Sequence, residues 1–286
     1  MALIGQRNLL AVVREAPPGL YLDAENLGEI LLPGKYKKPT MKPGVLVDVF
    51  VYLDSEDRLV ATTETPLAMV GDFASLTVVG VHPHAGAFLG WGLGKDLFLP
   101  FREQAGIVRV GDQVVVFVHL DEKSNRIVAT MRLHRHLSQK PPIYRKGQGV
   151  SLLIIEKTQL GYRAIVDNTH EGLLYHDTVH TSLPVGSRMP GFIRALRAGE
   201  KIDLSLDPIG YQRVGSLRDQ ILTKLAANAG TLPLNDDSPP HTIRATFGVS
   251  KKSFKQALGA LYKARKIRFS PGGIEQISSQ TSPQKP

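Results

Sequence analysis

The run Gly111-Asp112-Gln113-Val114-Val115-Val116-Phe117-Val118, an acidic turn at Asp121, and then Arg126-Ile127-Val128-Ala129-Thr130 decide the fold, because the same pattern occurs earlier in the chain. There it reads Gly44-Val45-Leu46-Val47-Asp48-Val49-Phe50-Val51, a turn at Asp54, and Arg58-Leu59-Val60-Ala61-Thr62. Upstream, Leu32-Pro33 and Leu99-Pro100 keep the same offset. A third copy is weaker: Leu174 and Gly186 hold the spacing, and Lys201-Ile202-Asp203-Leu204-Ser205 takes the last-strand place. Working outward, each copy starts with a β-rich strand, Asn8 to Val13, Phe73 to Val81 or Gly149 to Ile155. A Gly-led strand follows from Gly19, Gly86 or Gly161, and a short apolar strand ends at Pro33, Pro100 or His176. Five short strands per copy, with turn signals and no long amphipathic helix, predict a small five-stranded barrel. Such a barrel cannot enclose a cofactor, so none is expected, and any ligand lies on an outer face.

From Gly215 the pattern becomes helical. Leu217, Ile221, Leu222 and Leu225 fall at helical spacing, and Gly230 marks the stop. Asp236-Asp237-Ser238-Pro239-Pro240 leads into a second helix at about His241 to Phe247, and Ser250 reads as the N-cap of a third. In that third helix Phe254, Leu258 and Leu261 form the apolar stripe. Ile267-Arg268-Phe269 and Ile274-Glu275-Gln276-Ile277, joined through Ser270-Pro271-Gly272-Gly273, read as a two-stranded wing. Three helices and a hairpin predict a winged helix over 211–277 after barrels at 1–66, 67–137 and 145–210, with 278–286 a flexible tail. The fold class is therefore mainly β, with an α+β C-terminal part.

The 286 residues carry 35 Lys and Arg against 26 Asp and Glu, a net charge of +9, which points to a polyanionic partner. That excess is local: residues 211–286 hold 12 basic and 4 acidic side chains, whereas residues 1–66 hold 7 and 9. With no cysteine, the chain has no disulfide framework, thiolate metal site or cysteine nucleophile. No apolar run approaches the ~20 residues that span a bilayer, and Met1-Ala2-Leu3-Ile4-Gly5 has no basic n-region, so a cytoplasmic protein without a membrane partner is expected. Gly90-Trp91-Gly92-Leu93-Gly94 lacks the helix that a dinucleotide loop requires. His82/His84 and His134/His136 lack a third metal ligand at a telling spacing. No nucleophile elbow, phosphate loop, zinc-protease motif or catalytic carboxylate pair is present, so the chain is read as no enzyme.

The copies resemble the S1 RNA-binding domain, an OB-type barrel, most strongly at Gly86-Ala87-Phe88-Leu89 with Gly111-Asp112 and at Gly172-Leu173-Leu174-Tyr175-His176. Three such units followed by Gly248-Val249-Ser250-Lys251-Lys252 through Leu261-Tyr262-Lys263 resemble the conserved virulence factor B family over about residues 3–277. The resemblance implies RNA binding by the barrels and a regulatory role in virulence-related gene expression. It places the base-stacking ring at Tyr21 and Phe88, with Arg163 in its place in the third copy. The S1 histidine position becomes Pro33, Pro100 and Tyr175.

Physical reading of the strands gives Tyr21, Phe88, Trp91, Phe98, Tyr162 and Tyr175 as stacking platforms, with His176 beside them. Alternate rings on a strand face inward, so a core role stays open for each, for Trp91 and Phe98 above all. Lys35, Lys37, Lys38, Arg58, Arg126, Arg163 and Lys201 are the candidate phosphate contacts of the barrels. On the winged helix they are Lys251, Lys252, Lys255, Lys263, Arg265, Lys266 and Arg268. The expected ligand is single-stranded RNA, with duplex nucleic acid as a second partner of the winged helix. Two alternatives stand beside it: a winged-helix DNA-binding transcription regulator, and an adaptor to the ribosome or RNA polymerase.

Overall fold

A computed structural model describes residues 1–179, 181–207 and 211–277; the tail expected at 278–286 lies outside the described residues. Strands β1 (Arg7–Ala16), β2 (Gly19–Asp23), β3 (Glu29–Pro33), β4 (Leu46–Leu53) and β5 (Leu59–Thr62) close a barrel in the order β1-β2-β3-β5-β4. The second barrel repeats this with β6 (Phe73–His82), β7 (Gly86–Gly90), β8 (Leu97–Pro100), β9 (Gln113–Leu120) and β10 (Ile127–Thr130). The third uses β11 (Gly149–Lys157), β12 (Gly161–Val166), β13 (His170–Tyr175), β14 (Arg188–Arg197) and β15 (Lys201–Ser205). Here β13 stops at Tyr175 rather than His176, because a one-turn 3-10 helix, His176–Thr178, begins there. The same turn occurs at Gly34–Tyr36 and Phe101–Glu103.

Two local devices recur in all three barrels. The long first strand carries a bulge between Val12 and Arg14, Val78 and Gly80, or Ile154 and Glu156, which bends the strand as barrel closure requires. The second strand opens on a glycine whose φ is +148° at Gly86 and +157° at Gly161. A Cβ there would lie 2.2 Å from the Leu99 carbonyl oxygen or 1.9 Å from that of Leu174. Backbone fills the space, so only glycine fits.

Period-2 alternation packs the interiors. Leu10, Val12, Leu20, Leu22, Ile30, Leu32, Val49 and Val51 fill the first barrel, and Leu76, Val78, Leu89, Leu97, Leu99, Val116 and Val118 the second. Phe50 leaves the first core and packs with the second, its ring 5.8 Å from Trp91 in an edge contact. Phe73, Val115, Leu153 and Ile165 join the second and third barrels. Beside them His136 stacks on Phe117 at 4.1 Å and lies 5.3 Å from His119. Burial, and then the neighbouring His119, lowers the pKa of His136 below the ordinary histidine value.

The C-terminal module consists of α1 (Tyr211–Ala227), β16 (Thr231–Leu232), α2 (Pro240–Phe247), α3 (Lys251–Lys263), β17 (Ile267–Ser270) and β18 (Gly273–Gln276). Its first helix starts earlier than the expected change at Gly215, and β16 joins the wing to make a three-stranded sheet, β16-β18-β17. Gly248 ends α2 in the left-handed region, and the Ser250 hydroxyl caps α3 by accepting from the Ser253 N–H at 3.2 Å. Leu217, Ile221, Leu225, Ile243, Phe254, Leu258, Leu261, Ile267 and Ile274 form its core. The chain divides into two compact units, one of residues 1–143, 150–190 and 196–204, the other of 144–149, 191–195 and the module from Ser205 onward. Among the described residues no helix is long and apolar enough to cross a membrane.

Candidate nucleic-acid interface

Pairing registers make the outer faces of the barrels comparable position by position. On β2 and its counterparts the central outward residue is Tyr21, Phe88 or Arg163, opposite Leu31, Phe98 or Leu173 on the next strand. The first strand places Arg14, Gly80 or Glu156 against it. What stands at that third position decides whether the central side chain is accessible.

In the first barrel the Arg14 guanidinium lies 3.8 Å over the Tyr21 ring and is tied to Glu29 at 2.8 Å, so one face of the ring is covered. In the second barrel the neighbour is Gly80, which has no side chain to lay over the ring, and Phe88 stays 37% exposed. Phe88 and half-buried Phe98 meet at 5.5 Å with a 42° tilt and form a continuous aromatic surface. In the third barrel Arg163 is held by Glu156 and Glu171, both at 2.6 Å. Its charge is already matched, which corrects the expectation of a free phosphate contact there.

The Phe88–Phe98 pair lines a cleft of about 590 Å³ whose opposite wall is the first barrel. Tyr52, Leu53, Ser55 and Asp57 of the β4–β5 region face Lys95, Asp96 and Arg126 of the second barrel across it. The Lys95 ammonium donates to the carbonyl oxygens of Leu53 (3.1 Å) and Asp54 (2.6 Å) and lies 4.0 Å from the Asp57 carboxylate. Burial lowers its pKa, although Asp57 pulls the other way. Arg126 pairs with Asp57 of the first barrel, while Asp121, nearer to it in sequence, accepts from the Ser124 N–H. Arg58 stays with Asp54 at 2.8 Å and Glu56 at 2.8 Å.

Two expected platforms are core residues. Trp91 is 3% exposed, and its indole N–H donates to the Lys95 carbonyl at 2.6 Å. Tyr162 is as deeply buried, and its hydroxyl accepts from the Leu183 N–H at 3.4 Å. Both rings sit where the barrel interior needs bulk, so neither offers a face to a base. A second cleft, about 610 Å³, lies on the third barrel among Arg163, Glu171, Tyr175, Lys201 and Asp203. Within it the Tyr175 hydroxyl donates to buried Asp203 at 3.3 Å, and Arg197 binds the same carboxylate at 2.6 Å. His176 is exposed and hydrogen-bonds the Thr158 carbonyl at 2.9 Å. Of the remaining barrel cations, Lys37 pairs with Glu15, Lys35 lies 4.6 Å over the Tyr36 ring, and Lys38 and Lys201 have no ion-pair partner among the described residues.

On the C-terminal module, Lys251 donates to the Asp237 carbonyl at 3.0 Å, Lys255 is 3.7 Å from Asp236, and Arg268 is held by Glu275 at 2.6 Å. Lys252, Lys263, Arg265 and Lys266 are exposed, with no ion-pair partner among the described residues. Next to them exposed Tyr262 packs on Phe269 at 5.4 Å. This ring pair was not anticipated, since one ring closes a helix and the other lies in a strand. Gly80 and the Asp57 wall were likewise missed. The first needs the bulge to be aligned, and the second needs to know which barrel faces touch.

Comparison with known proteins follows this division. An S1 domain model matches residues 4–64 and 70–132, and a CvfB-like winged helix domain model matches 219–275. The Bacillus subtilis protein YitL is 27% identical over 92% of this chain and 90% of its own length. Conserved virulence factor B of Staphylococcus saprophyticus is 25% identical over 79% of this chain and 77% of its own. A solved Streptococcus pneumoniae structure, described as a multidomain protein with nucleic acid binding domains, is 24% identical over 96% of this chain and 98% of that one, with a TM-score of 0.42. The third barrel, whose outer face carries Arg163 and Asp203 where the others carry a ring and a valine, is not covered by the S1 match. OB-type barrels and winged helices are both nucleic-acid-binding modules. With tandem S1 domains ahead of a CvfB-like winged helix, and relatives matched over most of both lengths, the chain is similar in domain order and over most of its length to the proteins named conserved virulence factor B.

Proposed function

We propose that the protein binds single-stranded RNA, with unpaired bases stacking on Phe88 and Phe98 of the second barrel and on the open face of Tyr21. The carrying observation is the uncovered Phe88–Phe98 pair on one side of an open cleft. Stacking a base on such a ring contributes ~1–3 kcal/mol and is available only to unpaired bases. The cleft walls hold few uncompensated cations, so attraction to phosphate is supplied elsewhere. Lys252, Lys263, Arg265 and Lys266 on the winged helix are the free positive charges suited to it. Tethering the two sites raises the effective concentration of the second contact. The protein acts by binding rather than catalysis, in the cytoplasm. Relatives named conserved virulence factor B support virulence-related regulation as its setting, at the post-transcriptional step that an RNA ligand implies.

Fluorescence anisotropy of the full chain against a labelled single-stranded RNA, the matching single-stranded DNA and a DNA duplex, at two salt concentrations, tests this. Preference for the single-stranded RNA is expected. Duplex preference would move the function to the winged helix as a DNA-binding regulator. No binding to any of the three would leave a docking role on the ribosome or RNA polymerase.

A further inference from the structure

The charged side chains lining the Phe88–Phe98 cleft are Asp57, Lys95, Asp96 and Arg126, so its formal charge is zero. That balance is unexpected where a polyanion is to bind. It depends on one residue from outside the second barrel. Asp57 arrives on the β4–β5 turn of the first barrel, pairs with Arg126 and faces Lys95 at 4.0 Å. The turn that presents it is well defined: the Asp54 carboxylate accepts from the N–H groups of Glu56 (2.9 Å) and Arg58 (3.0 Å), and Asp57 itself sits at φ +60°. The Asp57–Arg126 pair is open to solvent, with side chains 44% and 55% exposed, so it contributes little to folding and is available for exchange.

We infer that Asp57 is a selectivity residue for the second-barrel cleft, cancelling the charge of Arg126 so that nucleic acid enters by stacking an unpaired base and not by phosphate attraction. This rests on the reading of the cleft as an RNA site. With Asp57 in place, a duplex gains nothing from the cleft, because its bases are unavailable and the rim offers it no net positive charge. Without the carboxylate, Arg126 becomes a phosphate contact that any nucleic acid can use. The discrimination of single strand from duplex therefore comes partly from a residue on the neighbouring barrel.

Asp57→Asn tests this, since asparagine also tolerates the left-handed backbone of the turn. Full-length wild type, D57N and D57N/R126Q are titrated against a labelled mixed-sequence single-stranded RNA of about 12 nucleotides and a duplex RNA of the same length, over a salt series. For the duplex, D57N is expected to bind about fivefold tighter, and its log-affinity against log-salt slope to steepen by about 0.9. Single-strand affinity should rise less, so selectivity falls, and the double variant should lose the duplex gain. Unchanged or weaker duplex binding by D57N, or a gain that persists in the double variant, overturns the inference while leaving the RNA reading intact. Wild-type protein that binds neither RNA overturns both.

Discussion

Phe88 and Trp91 lie three residues apart on one strand and its exit, and the structure assigns them opposite duties. Trp91 is 3% exposed, packs edge-on against Phe50 at 5.8 Å, and satisfies the Lys95 carbonyl at 2.6 Å. Trp91→Ala removes a buried ring, for ~3–5 kcal/mol, and leaves a carbonyl to find a new donor, for ~1 kcal/mol more. A two-barrel unit loses about 2–4 °C in midpoint per kcal/mol, so a fall on the order of 10 °C is expected. Phe88 is 37% exposed, and truncating it forfeits little beyond its contact with Phe98, worth ~0.5–1.5 kcal/mol. Its cost should appear in binding instead: ~1–3 kcal/mol per stacked base is about a 5- to 150-fold rise in Kd. Phe88→Leu is the sharper variant, because it keeps apolar bulk and deletes only the π-face. Thermal unfolding by circular dichroism and RNA anisotropy on the same samples separate the two effects. If Phe88→Leu binds RNA as wild type does, base stacking on this face is refuted, whatever Trp91→Ala does.

The other expected outcomes follow from single contacts. Gly86→Ala places a Cβ 2.2 Å from the Leu99 carbonyl oxygen at φ +148°; a loss of at least about 3 kcal/mol is expected in denaturant unfolding, and a wild-type midpoint would contradict the steric account. Ser250→Ala deletes the α3 cap at a cost of ~1 kcal/mol, visible in the helical signal at 222 nm; no change in that transition would discount the cap. His136 has a pKa below the ordinary value, with Glu103 opposing the effects of burial, His119, Arg135 and His134. Its stabilising contribution is complete above the unfolded value of ~6.5 and is lost as pH falls through the folded one. His136→Phe keeps the stack on Phe117, so the variant's midpoint should fall less than wild type's between pH 7 and pH 5, and parallel profiles would exclude His136 as the titrating group.

The repeat made the fold legible because a barrel interior tolerates few alternatives. Gly19, Gly86 and Gly161 recur where backbone fills the space of a Cβ, and the Gly44 and Gly111 runs alternate because one side of each strand is core. The site was legible only in part. The outward placement of Tyr21 and Phe88 was legible because they occupy the same register position; the burial of Trp91 and Tyr162 was not, because an aromatic in or beside a short strand reads alike whichever side it faces. Cation partners were the least visible. Arg126 stands near Asp121 in the sequence, and nothing there brings Asp57 of another barrel to it. Arg163 looked free because its two glutamates come from the strands on either side.

The same distinction between inside and outside explains how three copies of one barrel diverge. Interior positions compensate one another: Leu20, Ala87 and Tyr162 occupy one register site, facing Leu32, Leu99 and Leu174. Outer positions answer to no such constraint. The central outward residue, its neighbour across the antiparallel pair and the parallel partner beyond read Tyr21, Leu31, Val60 in the first barrel and Phe88, Phe98, Val128 in the second. In the third they read Arg163, Leu173, Asp203. An apolar aromatic face gains when a base covers it, because water leaves a surface that had no better partner. The third face has already used its hydrogen bonds: Arg163 with two glutamates, and Asp203 with Arg197 and Tyr175. A ligand there would exchange existing bonds for new ones at little net gain. On the proposed reading, base contact therefore concentrates in the first two barrels, the two that the S1 model matches.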